Sequence, residues 1–265
     1  MPLEHPGDVP VWVERGGLGV RRVLFIHCML AHSGAWRGVI APLNHKIKWT
    51  AFDLPGHGKS WDWDGQSDYQ TQGMQAAAGL IDKRADLVGH SFGATIALRL
   101  ARDFPDMVRS LTLIEPVLFA AAKGKPEFDQ HEAEMARFDT ALGAGQYDIA
   151  AQEFDAAWGP GMPWDAIPTA TRDGLIKRMP LVAAGAGATV SDVHKQVAPG
   201  ALEQITQPVL LMEGSASPSI IRAVHDVFFA RLPDVRRVVV AGAGHMVPIT
   251  HPEAVAGEVG AFLKV

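Results

Sequence analysis

Apolar residues along the chain form short, nearly continuous runs, separated by longer segments in which they recur every three or four positions. Val23-Leu24-Phe25-Ile26 is one such run, of the kind buried on both faces in a parallel sheet. Strands are predicted on this basis over residues 9–15, 22–27, 46–52, 85–88, 107–114, 208–213 and 235–240. Helical spacing runs from an N-cap at Ser33 through Leu43, then over residues 69–81, 91–102, 220–232 and 252–263. Strand and helix alternate throughout the first half and again at the end. That alternation predicts an α/β fold, a mostly parallel central sheet with helices on both faces.

Between Glu115 and Pro208 the pattern changes to an Ala-rich helical one, with an acidic stretch from Glu127 to Thr140 and breakers at Gly159-Pro160-Gly161 and Pro163. Residues 116–207 therefore read as a helical insertion into a body made of residues 1–115 and 208–265. The glycines in Ala183-Ala184-Gly185-Ala186-Gly187-Ala188 suit a flexible connection and spell no phosphate cradle.

Length and composition narrow the class. The 265 residues, 48% of them hydrophobic, suffice for one large α/β domain with a sizeable core. A net charge of −5 with no basic stripe argues against nucleic acid as a partner. One cysteine, Cys28, excludes an internal disulfide framework and suits a reducing compartment. Residues 1–10 lack the apolar core of a signal peptide, and no run approaches the roughly 18 to 20 apolar residues of a membrane span. The expectation is a cytoplasmic protein with no nucleic-acid or membrane partner.

Chemistry concentrates at Gly89-His90-Ser91-Phe92-Gly93, which places a serine between a predicted strand and a predicted helix. So tight a turn strains the serine backbone, and the flanking glycines let strand and helix approach without a Cβ clash. The hydroxyl is thereby presented at a helix N-terminus, where developing negative charge is favoured. No cofactor or metal is expected. His131-Glu132 lacks the second histidine of H-E-x-x-H, no C-x-x-C or G-x-G-x-x-G is present, and Gly58-Lys59-Ser60 matches only the tail of a P-loop.

Four features in order, His27-Cys28-Met29 ending an early strand, the D-x-P-G-x-G-x-S loop of residues 53–60, the turn at Ser91, and Gly244-His245 after the last strand, together resemble the α/β-hydrolase fold family over essentially the whole chain. The resemblance implies a nucleophile at Ser91, a general base at His245, and an oxyanion hole built from the backbone N–H groups of Met29 and Phe92. It also makes residues 116–207 a cap or lid. Cys28 stands where the family carries a glycine and is expected to pack rather than react. His90 and His57 lie beside matched motifs, where packing is the favoured role. His194, His225 and His251 are expected to be solvated. Asp53 belongs to a loop that is mainly structural in the family.

One member of the implied triad is out of place. The family's acid usually follows the strand corresponding to residues 208–213, but Gly214-Ser215-Ala216-Ser217 puts a serine there. A serine cannot carry the charge that orients an imidazolium. Glu115, at the end of the strand after the Ser91 helix, is the expected substitute, with Glu213 as runner-up; Pro116 biases Glu115 toward extended backbone.

The reading is a serine hydrolase that cleaves a carboxylic ester or related acyl bond through an acyl-enzyme. Carbon–carbon bond, lactone or thioester hydrolysis on the same fold, or a catalytically reduced binding protein, stand as alternatives. The substrate pocket is expected to involve His90, Trp158, Trp164 and Met246. Trp158, Met162, Trp164 and Met179 lend the insertion an apolar character that suits an apolar acyl substrate.

Overall fold

A computed structural model describes residues 3–265. Seven strands form one sheet: β1 (Val13–Gly16), β2 (Arg21–Ile26), β3 (Ile47–Phe52), β4 (Ala85–His90), β5 (Val108–Ile114), β6 (Val209–Gly214) and β7 (Val235–Val240). Their spatial order is β1-β3-β2-β4-β5-β6-β7, with β1 antiparallel to β3 and every other pair parallel. All seven correspond to predicted strands, although β1 is shorter than the segment 9–15.

Burial on both faces explains why β2 reads as a continuous apolar run. Val23 and Phe25 pack into one core layer with Val39 and Leu43 of α1 (Arg37–Leu43), and Leu24 and Ile26 pack into the opposite layer with Ile96 and Leu98 of α3 (Phe92–Asp103). Helix α2 (Tyr69–Gly79) joins the second layer, and α10 (Pro252–Leu263) joins the first. Ser33 does not cap α1. Residues 33–36 form a short 3-10 turn capped instead by His32, whose Nδ1 accepts the Gly34 N–H at 3.0 Å, while the Ser33 N–H donates to Asp53 at 2.7 Å.

Four α-helices and no strand lie between β5 and β6: α4 (Pro126–Gly143), α5 (Tyr147–Trp158), α6 (Thr169–Lys177) and α7 (Met179–Thr189). The glycines expected in a flexible connection sit inside α7. The smallness of Gly185 serves close packing, since it is buried against Met29 and Phe92. Helix α8 (Ser219–Arg231) follows β6, and the short α9 (Val247–Thr250) precedes α10. No helix among the described residues is long and apolar enough to cross a membrane.

Strand register gathers the chemistry at one edge. His90 pairs with Ile114, Ile114 with Met212, and Gly214 with Val240, so the residues that follow β4, β5 and β7 emerge side by side at the carboxyl end of the sheet. At the opposite end the fully buried Asp86 is held by Arg21, Arg109 and Ser110, which ties β2, β4 and β5 together.

The turn between β4 and α3 depends on its glycines for steric reasons. A Cβ on Gly93 would stand 2.3 Å from the Ile26 carbonyl oxygen and 2.5 Å from that of His27; one on Gly89 would stand 2.5 Å from the Gly93 oxygen. These neighbours are backbone and cannot rotate away. Gly93→Ala is accordingly expected to destabilise the fold by about 2 kcal/mol or more, read as a lower midpoint in urea; an unchanged midpoint would refute the steric account.

Candidate active site

Ser91 sits at the N-cap of α3 with φ 55° and ψ −118°, a strained conformation for a residue that carries a side chain. The strain is held by its own N–H, which donates to Ile114 O at 2.8 Å, and by the packing of the two glycines. Its hydroxyl lies 3.0 Å from His245 Nε2, and His245 Nδ1 lies 3.0 Å from Glu115 Oε2. When Glu115 is ionised its carboxylate can only accept, so Nδ1 carries the ring proton and Nε2 accepts from the Ser91 hydroxyl. The resemblance placed Ser91 and His245 in this site, and Glu115, the expected substitute acid, joins them.

Glu115 is fully buried, and its backbone is not extended as Pro116 suggested. It takes φ 52°, because the chain must leave β5 sharply to bring the carboxyl over the end of β6. There Glu115 Oε1 accepts the Gly214 N–H at 2.6 Å and the Ser217 hydroxyl at 2.7 Å. Ser217, the residue that displaces the family's usual acid, thus supports the acid that arrives from the neighbouring strand. A serine is short enough to leave room for a glutamate in that corner. No signal in the sequence marked Ser217 for this role.

Glu213 is turned the other way. It pairs with Arg237 at 2.9 Å and Arg222 at 3.1 Å, on the flank of the sheet away from His245. Burial pushes the Glu115 carboxyl above the ordinary carboxylate range, opposed by the Gly214 and Ser217 donors, and burial lowers His245 so that its imidazole is neutral at rest. A neutral imidazole is the form a general base requires.

Beside Ser91, the N–H groups of Met29 and Phe92 have no internal acceptor among the described residues. The loop that carries Met29 is held by two buried histidines. His27 donates through Nδ1 to Cys28 O at 2.7 Å and accepts the Leu54 N–H at Nε2, while His57 Nε2 accepts the Leu30 N–H at 2.9 Å. Asp53 adds bonds to the N–H groups of Ser33 and Lys59. The D-x-P-G-x-G-x-S loop is therefore a cradle for the Met29 loop. Cys28 is buried and free, its thiol pushed up to about 12 by burial, which leaves it a poor nucleophile.

A cavity of about 650 Å³ opens onto Ser91 and His245, bounded by Phe154, Trp158, Met162 and Leu175 from the helical segment and by Met246 from the body. Trp158 packs edge-on to His245 with ring centroids 4.8 Å apart. Two residues expected in the pocket lie elsewhere. His90 is buried behind the site, where its Nε2–H donates to the His245 carbonyl at 2.9 Å and fixes the loop that carries the base. Trp164, in the short 3-10 turn after Pro163, is partly buried against the core and does not line the cavity. Among the described residues no group of three His, Cys, Asp or Glu side chains is placed to hold a metal ion.

A strained serine hydroxyl, a neutral histidine and a buried carboxylate in sequence at the carboxyl edge of a parallel sheet define a hydrolase. The chain belongs to the alpha/beta hydrolase family, whose profile matches residues 23–258. It is similar to a pimeloyl-[acyl-carrier protein] methyl ester esterase of Nitrosomonas europaea, 26% identical over 244 residues that cover 92% of this chain and 95% of the relative. A 2-(acetamidomethylene)succinate hydrolase of Mesorhizobium japonicum is 28% identical, over 93% of this chain and 89% of the relative. The solved structure of a 2-hydroxy-6-oxo-6-phenylhexa-2,4-dienoate hydrolase from Rhodococcus sp. strain RHA1 shares the fold, with a TM-score of 0.80, 17% identity and coverage of 100% and 99% of the two chains.

His225 departs from its expected solvated position. It is fully buried in α8, with no partner for either ring nitrogen among the described residues. With His27, His57, His90 and His245 it makes five buried imidazoles whose pKa values burial lowers, to about 4 for His27 and about 3 for His90 and His225. Below the ordinary histidine pKa near 6.5 the unfolded chain takes up protons that the native state refuses, so stability falls as pH drops through this range. Glu115, raised by burial, works in the opposite sense and offsets one proton. Each such imidazole adds up to about 1.4 kcal/mol per pH unit to this loss near pH 5. His225→Leu is expected to flatten this slope by about 1.4 kcal/mol per pH unit. Urea midpoints measured from pH 7.5 to 5 check both statements, and a flat profile for the wild type would refute them.

Proposed function

We propose that Ser91, His245 and Glu115 are a catalytic triad that hydrolyses a carboxylic ester through an acyl-enzyme intermediate, with the Met29 and Phe92 N–H groups as oxyanion hole. The observation that carries this reading is the unbroken pair of 3.0 Å contacts from Ser91 through His245 to Glu115. As Ser91 Oγ attacks the ester carbonyl, its proton passes to His245 Nε2. The imidazolium so formed is stabilised by Glu115 through Nδ1–H. Negative charge on the carbonyl oxygen is taken up by the two N–H groups, each worth about 3 to 4 kcal/mol in favourable cases, and by the N-terminus of α3. His245 then returns its proton to the departing alkoxide, and deacylation repeats the cycle with water as nucleophile.

Residues 116–207 serve in this reading as a cap that roofs the site and selects the substrate. Phe154, Trp158, Met162 and Leu175 from that segment favour an apolar small-molecule ester. The names of the esterase and hydrolase relatives support the reaction class. A cytoplasmic location suits the single free cysteine, Cys28.

Ester turnover and labelling by a serine-directed fluorophosphonate test the assignment. Ser91→Ala is expected to abolish both. Glu115→Gln is expected to lower kcat by about 10⁴-fold, by analogy with the loss of a triad acid, while Glu213→Gln stays close to wild type. If Glu213→Gln is the crippled variant, or if the wild type neither turns over nor labels, the triad as assigned is wrong. Ser217→Ala removes one hydrogen bond to a buried charge, worth about 1.5 to 3 kcal/mol, and should lower kcat by about ten-fold or more; full activity in that variant would show that Ser217 does not support Glu115.

A further inference from the structure

We infer that two cavities meeting at Ser91 sort the two halves of the substrate by size, and that Gly185 sets the limit on the smaller half. The inference rests on the reading of Ser91 as nucleophile and adds a substrate class to it: esters with one long apolar side and one side of about three carbons or fewer.

Ser91 and His245 line the 650 Å³ cavity and also a second recess of about 70 Å³. Met29, Phe154 and Trp158 line both, so an ester carbonyl at Ser91 places one substituent in each space. The two differ in what they can hold. A dry cavity of about 150 Å³ accommodates benzene, so 70 Å³ takes about three carbon atoms and no ring. The larger cavity falls within the range that encloses a whole small-molecule ligand.

The recess is walled by Phe92, Phe119, Val182 and Gly185, with no charged side chain. An apolar alkyl group fits it and an ionised one does not.

Gly185 is the residue whose identity the recess depends on. A Cβ there would lie 3.0 Å from Met29 Cε and 3.1 Å from Phe92 Cε2, pressing on two of the side chains that line the recess. The backbone gives no reason for glycine, since Gly185 lies within α7 and is not in the left-handed region. In mid-helix glycine costs about 1 kcal/mol relative to alanine. What that cost permits is the close approach of α7 to Met29 and Phe92, which closes the recess on that side.

The experiment uses two ester series at constant pH, with kcat/KM as readout. One fixes an octanoyl group and lengthens the alkoxy group from methyl to hexyl. The other fixes an octyl alkoxy group and lengthens the acyl group from acetyl to heptanoyl. In at least one series kcat/KM should fall by about ten-fold once the varied group exceeds about three carbons, the penalty of one overpacked methylene. The series that shows the break identifies which side of the ester enters the recess. Gly185→Ala, whose methyl would push Met29 or Phe92 toward the recess, should move the break about one carbon shorter, and Val182→Ala should move it longer. Opposite displacements by the two variants are not produced by general loss of structure. Equal turnover of esters that are long on both sides, or a break that neither variant moves, overturns the inference and leaves the triad standing. Absence of turnover in both series together with absence of fluorophosphonate labelling overturns the triad reading itself.

Discussion

A carboxylate buried at the end of β5 is the constraint around which the carboxyl edge of the sheet is organised. Glu115 is withdrawn from solvent, and a charge there is tolerable only if several donors converge on it. Three do: the Gly214 N–H from β6, the Ser217 hydroxyl from the following turn, and His245 Nδ1 from the loop after β7. Each comes from a different segment, so the carboxylate fixes the relative positions of all three. The left-handed backbone at Glu115 is the local cost of reaching that point. His245 is then pinned from a second side by His90, which holds its carbonyl.

The second organised element is the loop that carries Met29. Two neutral histidines and Asp53 determine its course, and each uses its hydrogen bonds on backbone groups of that loop or of its cradle. Cys28 fits within this frame because its side chain is small and buried. The loop is therefore positioned by bonds to backbone, and a side chain in place of the family's glycine need not disturb the N–H that follows it.

Above these elements, α5 and α7 of the helical segment shape the space in front of Ser91. Trp158 at the end of α5 stands against His245, and the glycine-containing turn of α7 approaches Met29 and Phe92 closely. Side-chain size at these contacts, more than polarity, distinguishes the wide side of the site from the narrow one.

Much of this was legible in the sequence. Two-sided burial makes the central strands β2, β4, β5 and β6 read as apolar runs, and the alternation of strand and helix gave the sheet class. The steric demands of a tight strand-to-helix turn marked Ser91 through its glycines, and the resemblance located His245. Glu115 stood out because it ends a central strand. What the chain could not display was contact between distant residues. That Ser217 serves Glu115, that His90 faces the His245 backbone rather than the cavity, that Trp164 turns away while Trp158 lines the site, and that His225 is buried inside a helix pattern that looked solvated all depend on register and packing. Local spacing determines which face a residue occupies along its own element. Only the pairing of β4, β5, β6 and β7, and the docking of the helices over their ends, decides which faces meet.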